Sequence, residues 1–232
     1  MKKIHVLAFF FIAFILHNQS FGQTTITAQP ETCDGINSYV IYLQSDPSSQ
    51  YSNFGTATEL IANAWTISGS PFFCRSYIDF AVLHQIPQNA TISSATLYLY
   101  GPSSSSDVPQ GSQGANACWI SRVLAPWSKN TINWSNQPSI TTTNQATIPA
   151  STSQWNYSPV INMTQLVQDL TNLPDTSRHG FSIRLQTEST YRCMLFYSSN
   201  ATNAILRPKL VVTYSAPPCT VNNNKTRPFF SC

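Results

Sequence analysis

Apolar residues recur at every second position in four separate stretches of this chain. In "RSYIDFAVL" Ile78, Phe80 and Val82 alternate with Tyr77, Asp79 and Ala81. In "ATLYLYG" Leu97 and Leu99 alternate with Tyr98 and Tyr100. "GFSIRLQ" sets Phe181, Ile183 and Leu185 against Ser182, Arg184 and Gln186, and "KLVVTY" points Leu210, Val212 and Tyr214 one way. Successive side chains of an extended backbone point to opposite faces, so each stretch has one apolar face and reads as a half-buried antiparallel strand. "NMTQLVQDL" departs from this, with Met163, Leu166, Val167 and Leu170 at helical spacing. It predicts a short helix over 163–171, with Asn162 as N-cap and Gln165 three residues on. Fifteen prolines and many Ser/Asn clusters punctuate the strands. With one helix and no βαβ rhythm, the pattern predicts an all-β fold, a jelly-roll-type antiparallel β-sandwich over 23–216. "GPSSSSDVPQGSQG" (101–114) reads as a long flexible loop, and 217–232 as a Pro/Asn-rich tail or linker.

The first 22 residues, "MKKIHVLAFFFIAFILHNQSFG", have the plan of a signal peptide. Lys2 and Lys3 precede an apolar run from Val6 to Leu16, and Ser20 and Gly22 offer small residues at cleavage spacing. The chain is therefore expected to be secreted, starting near Gln23. No later apolar run approaches the roughly 20 residues of a membrane span. Loss of Lys2 and Lys3 leaves ten basic residues against nine acidic ones. Nucleic acid requires a dense basic stripe, which this composition lacks. All six cysteines, Cys33, Cys74, Cys118, Cys193, Cys219 and Cys232, survive cleavage. An even number in an exported chain predicts disulfides, and the absence of C-x-x-C spacing argues against zinc or redox chemistry.

Four blocks in order carry a family resemblance. They are "YSNFGTATEL" (51–60), "RSYIDFAVLHQIPQNATISSATLYLY" (75–100), "SRVLAPWSKNTINWSNQP" (121–138), and the closing "INMTQLVQDL…HGFSIRLQTE…FYSSNA…RPKLVVTY". Together they resemble the DNRLRE domain, also described as carbohydrate-binding module family 96, over about 39–214. The literal DNRLRE string is absent, its nearest counterpart being "IRLQTE" at 183–188, and the cysteines are additional to the pattern. The resemblance implies a secreted β-sandwich module, some members of which bind acidic polysaccharides such as alginate.

A sugar-binding face requires flat rings against C–H groups, and amides, hydroxyls or cations for the polar edges. Trp65, Trp155, Tyr157 and Tyr191 lie outside the family blocks and are candidate platforms, with core or rim packing as the competing role. Arg184, Arg192 and Lys129 are candidates to pair with uronate carboxylates. Trp127 and Trp134 sit seven apart within the third block and are expected to be structural, an indole N–H bonded to a loop carbonyl. Arg75 and Arg207 also fall within the blocks. They are expected to make structural bonds, Asp79 and Glu188 being the acidic partners at hand. No catalytic motif is present: G-x-S-x-G and H-E-x-x-H are both missing, and His84 and His179 lie in turns. No cofactor is called for; a structural calcium would draw on Asp34 and Asp46. The sequence thus points to a non-catalytic module for a polysaccharide, with an adhesive or structural module as the alternative.

Overall fold

A computed structural model describes residues 22–29, 35–217, 220–221 and 230–231. The signal-peptide reading, Asp34, Cys33, Cys219 and Cys232 lie outside those residues. Among the described residues no helix is long and apolar enough to cross a membrane.

Two antiparallel sheets form a sandwich. One has four strands in the order β1 (Gln23–Ala28), β11 (Lys209–Ser215), β5 (Thr91–Tyr98), β8 (Val160–Asn162). The other runs β10 (Arg192–Tyr197), β3 (Glu59–Ile67), β4 (Ser70–Phe80), β9 (Phe181–Leu185), β6 (Cys118–Arg122), β7 (Ala146–Ile148), with β2 (Gly35–Leu43) paired along β4. Two short strands of the tail, β12 (Thr220–Val221) and β13 (Phe230–Ser231), pair with each other. Between the sheets lies the main core, built from the inward residues of the alternating stretches together with the helix α1 (Thr164–Thr171).

Local exceptions to period two have identifiable causes. On β5 both Ile92 and Ala95 face the core, which strict alternation forbids. The β5–β11 register slips there, because Thr213 pairs with Ser94 while Tyr214 pairs with Ile92, so Ser93 is an extra residue in a bulge. Strand β4 changes partners partway: 70–74 pair with β3, and 76–78 with β9. Ser76 repairs the gap, its hydroxyl accepting from the Ile61 N–H at 2.7 Å and donating to the Ile61 carbonyl at 2.9 Å. The β3–β4 hairpin turns at Ser68 and Gly69, φ 49° and 78°, the left-handed pair a tight two-residue loop requires.

Three local readings change. The extended run stops at Phe80, and 81–85 form a 3-10 turn. The helix starts at Thr164 with Met163, not Asn162, at the N-cap position; Asn162 lies one residue earlier and accepts from the Thr164 N–H at 2.9 Å, while Gln165 turns away to Asp169 at 2.8 Å instead of closing a box. The 101–114 segment is pinned, not free. Val108 is buried in a second apolar cluster, Ser105 donates to Glu59 at 2.7 Å, and Gln113 exchanges two backbone bonds with Cys193. The segment covers the outer edge of β10, whose backbone groups would otherwise lack partners.

The expectation that all six cysteines pair fails for the three described ones. Cys74, Cys118 and Cys193 are buried free thiols. Cys74 and Cys193 both register with Asn63, one from each side of β3. Two inter-strand spacings, about 9.6 Å, separate them, beyond the roughly 7 Å a disulfide can span. Cys118 belongs to the main core, Cys74 and Cys193 to the second cluster. Burial pushes the Cys74 and Cys118 thiols well above their ordinary range and Cys193 up to about 12. All three are therefore expected to resist iodoacetamide in the folded protein and to label fully in denaturant without reductant. Peptide mapping checks this, and a linked peptide joining any two of them would refute it.

Candidate functional site

The face of β9 and β6 turned away from the core carries the charged residues. Ile183, Leu185, Cys118 and Ile120 point inward, which places Arg184 and Trp119 outward as a direct cross-strand pair. On β4 Ser76 pairs with Ile183, so Arg75 and Arg184 are the next positions along the same ladder. Two guanidiniums side by side repel. Glu188, from the β9–β10 loop, relieves one of them: its carboxylate accepts from Arg75 Nε and Nη2, both at 2.7 Å. Burial opposes the Arg75 charge, but the Glu188 bonds outweigh it and raise its pKa above the ordinary value.

Arg75 is fixed on its other sides too. Its Nη1 donates to Gln137 Oε1 at 3.0 Å, which also accepts from the Tyr77 hydroxyl at 3.1 Å. Its Cζ lies 4.4 Å over the Trp134 ring, a cation–π contact. Trp134 is half-buried, stacked with Tyr42 at 5.8 Å and tilted against Phe73 at 6.4 Å. Trp127 packs against Tyr77 at 5.7 Å, and its indole N–H donates to the His179 carbonyl at 2.8 Å. Both tryptophans border a third apolar cluster with Val40, Val123 and Ile132. The polar residues between them form loop and 3-10 turn; Asn133 caps the turn at Trp134–Asn136.

Arg184 has no such attachment. Among the described residues it makes no hydrogen bond or ion pair, and it lines an open groove of about 300 Å³ with Trp119, Thr142, Gln145, Gln186 and Glu188. Burial, and then Arg75 beside it, hold its pKa below the ordinary guanidinium value. The groove therefore offers a cation short of counter-charge, a half-exposed indole, amides and a hydroxyl.

The other candidates are dispersed. Trp155 packs on the second apolar cluster. Tyr157 packs on the main core, 6.4 Å from Phe196, with its hydroxyl donating to the Pro149 carbonyl at 3.1 Å. Trp65 and Tyr191 meet edge to face at another point of the rim, and Arg192 beside them donates to the Ala115 carbonyl at 3.3 Å. Lys129 sits on the loop after Trp127, its carbonyl accepting from Asn53 at 2.8 Å. Arg207 is buried and donates to the Ala201 carbonyl at 2.9 Å. Asp79 joins Asp175 in flanking His84, at 3.2 and 2.6 Å. The Asp79 bond outweighs burial, Asp175 adds to it, and the imidazole pKa rises to about 9. Asp46 caps a turn by accepting from Ser48, and among the described residues no three His, Cys, Asp or Glu side chains converge on a metal-sized site.

Trp119 and Gln137 escaped the sequence reading, and Glu188 entered it as one of two acidic partners at hand for the arginines. Trp119 was open to it: in "CWISR" it alternates with Cys118 and Ile120, so it must face outward if they face in. Glu188 and Gln137 lie in loops, and no periodicity places them.

The sequence profile of carbohydrate-binding module family 96 matches residues 38–214. The chain belongs to this family. It is a carbohydrate-binding module, and the family 96 match runs from within β2 to Tyr214 in β11. It thus takes in Arg75, Trp119, Trp134, Arg184 and Glu188 and leaves out β1. A search of curated proteins found no match.

Proposed function

We propose that this family 96 module binds a uronate-containing polysaccharide, alginate being one candidate, on the outer face of β4, β9 and β6. It acts there as a non-catalytic binder, outside the cell, after removal of residues 1–22. The observation that carries this reading is Arg184, a partly buried guanidinium without hydrogen-bond partner among the described residues, beside a second arginine already neutralised by Glu188. A carboxylate in the groove would take up the vacant Arg184 donors as a charge-assisted pair. Trp119 offers its indole face to the sugar C–H groups, and Thr142, Gln145 and Gln186 reach its hydroxyls.

Affinity electrophoresis tests this reading. Gels containing alginate or pectin are expected to retard the module, neutral glucans to do so weakly, and added salt to release it, because exposed ionic contacts are screened. Neither reducing ends nor unsaturated products should accumulate. Equal mobility in all gels would remove the reading.

A further inference from the structure

The exposed ring of Tyr191 is held at a conformational cost that the fold does not require. Its φ is +68°, a left-handed conformation that bulky side chains rarely adopt, and the residue is 59% exposed. The backbone there is clamped. Gly114, itself at φ +77°, presses so close that a Cβ on it would lie 2.2 Å from the Tyr191 carbonyl oxygen. Two backbone bonds between Gln113 and Cys193 and the Arg192–Ala115 bond hold the same stretch. A glycine at 191 would satisfy this backbone without strain. The Tyr191 hydroxyl has no partner among the described residues, and the ring touches one other, Trp65, edge to face at 5.1 Å and 82°. Trp65 is only half-buried. Two aromatic rings at right angles, open to solvent, form a corner rather than a packed core.

We propose that Trp65 and Tyr191 form a second, uncharged subsite that stacks the C–H face of a pyranose ring. The proposal rests on the polysaccharide reading above and extends it. Tyr191 and Glu188 belong to one loop, three residues apart, so at most about 11 Å of chain separates them. Trp65 pairs with Phe72, on the opposite face of β4 from Arg75 and Arg184, so one polysaccharide chain meets both sites by passing round the β9–β10 loop, with a carboxylate at Arg184 and a sugar farther along on the aromatic corner. The groove supplies salt-sensitive binding, and the corner supplies binding that salt leaves intact.

Tyr191→Gly and Tyr191→Phe, compared with the parent on long alginate oligosaccharides by isothermal titration, test this. The glycine variant is expected to melt no lower than the parent yet bind about three- to tenfold more weakly, the size of one aromatic stacking contact. Its deficit should persist in high salt, and the phenylalanine variant should bind like the parent. Parental binding by Tyr191→Gly, or an equal loss in Tyr191→Phe, would overturn the subsite. If Arg184→Ala weakens binding while both Tyr191 variants do not, the groove stands and the corner falls. If the parent binds no polysaccharide, both fall.

Discussion

Arg184→Ala is expected to abolish retardation in alginate gels while leaving the melting temperature nearly unchanged. The guanidinium makes no bond to the rest of the described protein, so its removal breaks no internal contact. It even relieves the repulsion from Arg75 along the ladder. A surface substitution of this kind changes stability by about 0.5 kcal/mol or less. The ligand carboxylate, by contrast, loses a charge-assisted pair worth roughly 1.5–3 kcal/mol, or about 10- to 100-fold in affinity. Arg184→Lys should recover the charge but not the fork, and so restore part of the binding. Titration against a defined uronate oligosaccharide, with thermal melting alongside, reads both effects. Full affinity in the alanine variant would show that the groove is not where the polymer lies.

Arg178→Ala is expected to be the most damaging single change to the fold. Arg178 is only 3% exposed, and its guanidinium serves four backbone carbonyls: Leu83 and Ile86 at 2.8 Å, Thr171 at 3.1 Å and Leu173 at 3.2 Å. Two of these carbonyls belong to the end of α1 and the turn after it, two to the segment following β4. One side chain thus ties the helix end to the sheet, with its charge at the favourable pole of the helix. Truncation leaves four carbonyls without that donor, and losing one partner of a buried charged network typically costs about 3–5 kcal/mol. In a domain of this size that lowers the melting temperature by about 10–15 °C. Calorimetry of the purified variant measures it. A loss of only two or three degrees would mean that water replaces the guanidinium without penalty.

The two arginines show why parts of this molecule were open to sequence reasoning and others were not. Arg184 sits at an outward position of an alternating strand, so its face followed from Phe181, Ile183 and Leu185. Arg178 lies in the turn "SRHGF", and its four acceptors come from two segments, one of them up to 95 positions away. No local pattern brings those carbonyls together. The same division runs through the aromatics. Trp65, Trp155, Tyr157 and Tyr191 are alike as isolated rings outside the family blocks, yet Trp155 and Tyr157 pack on apolar clusters while Trp65 and Tyr191 meet at the rim.

From the sequence alone came the period-two strands, the single helix, the order of the family blocks and the outward face that holds Arg184, because each depends on neighbours a few residues apart. The tertiary structure alone decided that Cys74 and Cys193 face Asn63 from opposite sides and stay unpaired. It also decided that Glu188 neutralises Arg75 and leaves Arg184 without a hydrogen bond or ion pair among the described residues. Those outcomes depend on which strands lie side by side. Strand order is set by the burial of all the apolar faces at once, and alternation within one strand specifies a face but not a neighbour.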